Sequence, residues 1–409
     1  MAIVRPFCAV RPSEAYKDVI PALPYDVYTR EEARREVEAH PLSFLSIDRP
    51  ETLMAEDADM YGEEAYRTAR ERYESYLAEG KFVTEEKPVY FLYELTMDGR
   101  TESGIVGCSS ADDYLNGVIL KHENTRADKE LDRIRHVDAL SAQTGPIFLV
   151  YRNSDELKRF MDEVRTREPL YDFCAEDSVR HRVFRIDRDE EIAFVRKAFD
   201  AVDHTYIADG HHRAASAVRV CEMRRQAHPD YTGNEEFNYF LSVLFPADEL
   251  QIFDYNRMVS DLNGRTEEAF LREVGENFNI REEGSDPVRP AKKGEFGMYL
   301  GGTWYRLTEK EPAELSDEVG SLDVSILQDK LLKPVLGIDD PKTDRRIRFL
   351  GGIRGLKPLE ETQGVSFSMY PTSIEELFRV ADGGKLMPPK STWFEPKLRS
   401  GFFVHPIER

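Results

Sequence analysis

Cysteine is scarce and scattered. Cys8, Cys108, Cys174 and Cys221 are the four in 409 residues, with no CxxC pair among them, so neither a disulfide framework nor a cysteine-ligated zinc site is indicated and a reducing, cytoplasmic setting is expected. Long apolar runs are also missing. None approaches the roughly 18 residues that span a bilayer, and the opening MAIVRPFCAVRP lacks the basic-then-apolar pattern of a secretory leader. Positive charge is in deficit: 56 basic side chains stand against 77 acidic ones, a formal charge of −21. Most of such a surface repels polyanions, which argues against nucleic acid as a partner. The GxxxxGK(S/T) loop, the GxGxxG fingerprint and the GxSxG elbow are absent as well, so ordinary P-loop, Rossmann and serine-hydrolase sites are not supported.

What is present is a mixture of short β-rich runs and amphipathic helices, in a chain that is 41% hydrophobic. The pattern predicts an α/β protein of mixed α+β character. Helices are expected over 29–39, 57–79, 128–142, 154–166, 188–201, 211–226, 266–278, 323–335 and 373–381. Strands are expected over 88–97, 146–151, 179–186, 205–208, 238–245 and 250–259, with a hairpin across 295–308 turning at Gly301-Gly302. The acidic, Gly- and Pro-containing stretch 282–295 reads as a loop. Two domains are expected, 1–260 and 261–409.

One constellation stands out. In TYIADGHHRAASAVR, residues 205–219, a β-branched run meets a strong turn signal and then a helix-forming segment. A helix start points unpaired N–H groups and the positive end of the macrodipole outward, which suits an anion. Gly210 lets backbone approach a phosphate, and Arg213 offers a planar fork to its oxygens. His211 and His212 are adjacent, so they point about 100° apart on a helix and cannot form a one-faced metal pair. One imidazole as phosphate donor or proton carrier, the other packing or orienting it, fits better. Asp209, just before the turn, is suited to hold Mg²⁺ or to orient a substrate hydroxyl.

The string ADGHHRAASA resembles the phosphate-binding signature of the ParB/sulfiredoxin-like superfamily, and its DGHHR form is most similar to that of the free-serine kinases. LPYDV at 23–27, HENT at 122–125, TGPIFLVY at 144–151 and MPPKSTWFEPKL at 387–398 resemble a bacterial family known only as a domain of unknown function. The resemblance implies a ParB/sulfiredoxin-like core with additional N- and C-terminal α/β elements. It implies Mg²⁺-assisted phosphoryl transfer between ATP or ADP and a small hydroxy amino acid such as serine. Glu123 is the candidate for the glutamate base those kinases use. His122, Thr125 and Arg126 sit beside it before a helix, and Asp26 is a further candidate to line a substrate pocket. In the final loop, two prolines stiffen a segment whose Lys390 and Ser391 are candidates for phosphate contact, with Thr392, Lys397 and Arg399 nearby. Other readings are a phosphoserine-type phosphatase, a nucleotide-binding switch without turnover, and a metal-dependent hydrolase using His122, His211 and His212.

Overall fold

The computed structural model describes every residue except 126, 312–315 and 409, with the side chain of Asp128 also left aside. The chain is a mixed α+β protein that divides into two compact units, Met1–Leu250 with Pro396–Arg409, and Gln251–Glu395. Among the described residues no helix is long and apolar enough to cross a membrane.

The first unit is built on a nine-stranded sheet. In spatial order its strands are Ile119–Leu120, Thr205–Asp209, Ile147–Tyr151, Tyr239–Pro246, Arg100–Ser110, Tyr90–Met97, Arg180–Ile186 and Tyr171–Cys174, with Val4–Arg5 also paired to Arg100–Ser110. Thr205–Asp209 runs parallel to Ile119–Leu120, and Tyr239–Pro246 parallel to Ile147–Tyr151. The central strands are covered on both faces, so IFLVY and YFLSVLFP are apolar almost throughout and buried at every position. One face packs Leu157, Met161, Val195, Phe199, Ala214 and Val218 from three helices against Leu149, Tyr151 and Leu244. A separate cluster holds Phe44, Leu45, Ile47, Tyr73, Tyr76 and Phe82.

Arg100–Ser110, the strand of 11 residues in the middle of this sheet, is one the sequence pattern does not announce. Gly, Cys and Ser crowd its second half, which lowers its apparent β-propensity. The reason is spatial: a Cβ on Gly104 would stand 2.7 Å from Val243 and 2.9 Å from the Phe245 ring.

The second unit carries a six-stranded antiparallel sheet ordered Phe278–Gly284, Thr303–Glu309, Glu295–Leu300, Val365–Ser368, Tyr255–Val259 and Ile347–Gly351. The hairpin turns at Gly301 and Gly302, with φ of +55° and +87°, the left-handed pair a two-residue turn requires. The helix expected over 323–335 is broken. Asp323–Leu327 gives way to a wider turn in which the Lys333 amide donates to the Gln328 carbonyl at 2.9 Å. The strand expected over 250–259 is likewise divided, into Ile252–Phe253 and Tyr255–Val259.

Candidate functional site

The strand Thr205–Asp209 feeds the 17-residue helix His211–Ala227 through a single residue, Gly210. Its pairing with Ile147–Tyr151 slips between Ile207 and Asp209, a bulge of the kind that re-aims a side chain at a strand end. Gly210 has φ +93° and ψ 30°. A Cβ there would meet Arg213 at 3.0 Å from Nε and Nη2 and 3.1 Å from Cζ. Glycine is therefore required twice, by conformation and by the guanidinium folded beneath the turn.

The N-cap residue, Gly210, has no side chain with which to cap the helix start. Arg213 curls back instead, donating from Nη2 to Asp209 Oδ2 at 2.9 Å and from Nη1 to the Pro146 carbonyl at 2.6 Å. Lys397 Nζ stands 3.7 Å from the other Asp209 oxygen. The carboxylate before the turn is thus flanked by two cations in a chain of strongly negative net charge. Lys397 was one basic residue among several in the sequence of the final loop. Nothing in its spacing singled it out, because the chain must return from position 397 to the sheet for the pair to form.

The two histidines of the turn have separate environments. His211 is buried, and its ring meets that of His122 edge-to-face at 4.6 Å. Burial pushes the His122 imidazole down to about 4, against the pull of a hydrogen bond to the Ile207 backbone and of the Asp209 charge. Burial likewise holds His211 well below its ordinary range, with repulsion from His122 in the same direction. Both rings are neutral at neutral pH. His211 Nε2 is buried with no hydrogen-bond partner among the described residues. His212 is half-buried, and its carbonyl accepts from Ser216 Oγ at 2.7 Å.

Glu123 lies half-buried in the segment before the helix Ala127–Leu140. The Thr125 hydroxyl donates to Glu130 Oε2 at 2.9 Å. Arg126 lies outside the described residues. Asp26 is exposed in the turn Tyr25–Val27. Lys390 and Ser391 belong to the second unit, where the Ser391 hydroxyl donates to the Pro388 carbonyl at 2.6 Å.

Beside Arg213 the structure gathers residues the sequence reading did not single out. Tyr25, Asp48, Arg133, His136, Thr144 and Ser216 are among those lining a cavity of about 30 Å³ that Arg213 also lines. That volume admits a water molecule or two, not a nucleotide. The Arg133 guanidinium lies 4.1 Å over the Tyr25 ring and 2.7 Å from Asp132. Thr144 Oγ1 donates to Asp48 Oδ1 at 2.9 Å. A roomier cavity of about 450 Å³ in the same unit is lined by Tyr28, Glu36, His40, Phe173, Glu176 and Arg399 among others, of which only Arg399, in the basic final loop, is named from the sequence.

Among the described residues no group of three or more His, Cys, Asp and Glu side chains is arranged to hold a metal ion. Asp209 is the carboxylate at the turn. A divalent ion fits there only in company with phosphate oxygens, the usual manner in which Mg²⁺ is held by one or two carboxylates plus substrate phosphates.

Comparison with solved structures finds a free serine kinase mutant in complex with ADP, 14% identical, covering 76% of this chain and 90% of that one at a TM-score of 0.34. It also finds a conserved hypothetical protein from Pyrococcus furiosus (13% identity, 73% and 93% coverage, TM-score 0.33). A third is SbnI with a C-terminal truncation from Staphylococcus aureus (12% identity, 71% and 82% coverage, TM-score 0.37). Comparison with curated proteins gives no match. Residues 4–325 match the family model described as Protein of unknown function (DUF1015), and the chain is a member of the DUF1015 family.

Proposed function

We propose that the first unit, read from its DGHHR motif as a ParB/sulfiredoxin-like core, binds the phosphates of ATP or ADP at the turn Asp209-Gly210-His211. In this reading it transfers a phosphoryl group, with Mg²⁺, between the nucleotide and a small hydroxy amino acid such as serine. The observation that carries the reading is the start of a 17-residue helix, entered through a left-handed glycine, with Arg213 and Lys397 converging on Asp209. Phosphoryl transfer asks a protein for positioning and charge neutralisation more than for covalent chemistry. Backbone N–H groups of the first helical turn and the macrodipole favour the anion. Arg213 and Lys397 are held in place by Asp209 until a phosphate arrives to compete for them. Mg²⁺, when bound, would be held by Asp209 and supply further neutralisation of the phosphate charge.

In the forward direction the serine hydroxyl oxygen forms a bond to the γ-phosphorus, the bond from that phosphorus to the bridging oxygen of ADP breaks, and the hydroxyl proton passes to the Glu123 carboxylate. Glu123 and His122 are consecutive, and the His122 ring rests on His211, which ties this segment to the helix start. His211, buried and neutral, serves as support for the turn. His212, the less buried of the pair, is the better candidate for phosphate contact.

The reading is tested by incubating the protein with Mg²⁺, ATP, ADP or pyrophosphate, and serine or phosphoserine, followed by phosphorus NMR. New phosphoserine, or phosphate passed from phosphoserine to the nucleotide, supports it, and free phosphate from phosphoserine alone identifies the phosphatase version. Nucleotide binding without movement of phosphate to or from any of these compounds leaves the switch.

A further inference from the structure

Four arginines are buried among the described residues: Arg49, Arg133, Arg257 and Arg399. Three of them have a carboxylate. Arg49 pairs with Glu51 at 2.6 Å, Arg133 with Asp132 at 2.7 Å, and Arg399 with Asp177. Arg257 is 3% exposed and has none among the described residues. It sits on the strand Tyr255–Val259 of the second unit, opposite Phe349 on one neighbour and Phe367 on the other. Among the described residues its guanidinium donates only to backbone carbonyls, those of Tyr255 and, at 3.1 Å, Lys390. These occupy two of five N–H donors. The acid close by in sequence, Asp254, is spent on Asn256 and Arg289.

A buried unpaired charge is costly, and proteins ordinarily pair it. Here burial lowers the Arg257 pKa to about 10, so the group is still a cation at neutral pH. The loop that meets it is built with effort. Lys390 holds φ +59°, a conformation that costs a residue with a Cβ about 1 kcal/mol, and so brings its carbonyl onto Arg257. The Lys390 ammonium lies 5.6 Å over the Tyr255 ring, and the Arg257 guanidinium 5.5 Å over the Phe349 ring. Those two rings are 5.8 Å apart, and Trp393 stands edge-on to Tyr255 at 4.8 Å. Two cations thus lie over one aromatic pair.

We propose that Arg257, assisted by Lys390, is the anchor of an oxyanion site in the second unit, taking a phosphate or carboxylate group of a small-molecule ligand at the N–H groups its two carbonyl partners leave unused, beside Tyr255, Phe349 and Trp393. The planar fork matches either oxyanion. This inference uses no residue of the first unit and stands whether or not that unit transfers phosphoryl groups.

The site has its own reporter, since of the chain's two tryptophans Trp304 is fully buried in a different cluster and Trp393 touches Tyr255. The full chain is titrated separately with inorganic phosphate, pyrophosphate and acetate, following tryptophan emission, with Trp393→Phe to establish the source of the signal. The expected result is a saturable change with at least one anion, weakened tenfold or more in Arg257→Met, several-fold in Lys390→Ala, and kept in Arg213→Ala. Comparison of the acetate and phosphate arms identifies the oxyanion. Melting gives an independent sign. In anion-free buffer Arg257→Met melts no lower than the native chain and loses the anion-dependent rise, because an unpaired buried charge has been replaced by an apolar side chain of similar volume. A lower melting temperature with the anion response intact overturns the proposal and makes Arg257 purely structural. So does an unchanged response in the exposed variant Lys390→Ala, which decides the matter if Arg257→Met fails to fold, and so does silence of Trp393 toward all three anions.

Discussion

Gly210→Ala probes the turn most directly. Alanine must adopt φ +93°, which costs about 1–2 kcal/mol for a residue bearing a Cβ. The new Cβ also lies 3.0 Å from Arg213 Nε and Nη2, so the guanidinium must give by a few tenths of an ångström and its hydrogen bond to Asp209 is weakened. A charge-assisted hydrogen bond contributes roughly 1.5–3 kcal/mol. The Asp209 side chain is 35% exposed, and solvent screening reduces that to about 1 kcal/mol. With at most that much from the weakened bond, the expected total is about 1–3 kcal/mol. Both tryptophans, Trp304 and Trp393, lie in the second unit, so the transition is followed by far-ultraviolet circular dichroism in urea and not by tryptophan emission. The decisive comparison is a double-mutant cycle with Arg213→Ala. In that background the contact is gone, and Gly210→Ala retains only the backbone cost of about 1–2 kcal/mol. A cost equal in both backgrounds would refute the steric account, and a cost below about 0.5 kcal/mol in the native background would refute the left-handed turn itself.

Three further outcomes follow from the same geometry. Arg213→Ala weakens binding of phosphate ligands, whereas Asp209→Asn, which releases Arg213 and Lys397 from their carboxylate, keeps or tightens binding while turnover is lost; calorimetry and phosphorus NMR on the two variants separate these effects. The His122 imidazole, lowered by burial to about 4, binds a proton less readily in the folded than in the unfolded chain, where it titrates near 6.5. Its contribution is fully present above that value and is lost as pH falls toward 4, by about 3 kcal/mol at most. The difference in urea midpoint between the native chain and His122→Asn should therefore shrink between pH 7 and pH 4, and a pH-independent difference would count against a neutral buried ring. Arg133→Ala strips the cation from Asp132 and from the Tyr25 ring in a buried setting, so a loss of about 3–5 kcal/mol in unfolding free energy is expected.

Local pattern alone determined a good deal. The strand and helix on either side of Gly210, expected over 205–208 and 211–226, are observed as Thr205–Asp209 and His211–Ala227, because a β-branched run, a turn residue and an alanine-rich segment each act over a few neighbours. The helix expected over 188–201 is observed as Asp189–Asp200, with three acids in its first turn. Long-range packing decided the rest. Arg100–Ser110 is a central strand because Val243, Phe245 and Tyr90 need room where Gly104 and Gly107 have no side chain, a reason written in other strands. The neutrality of His122 and His211 comes from burial and from each other, across 89 positions of sequence. Lys397 meets Asp209, and Arg257 is left with no carboxylate among the described residues, only once the chain has folded. Residue type states what a side chain is able to do; desolvation and the partner placed opposite it decide what it does.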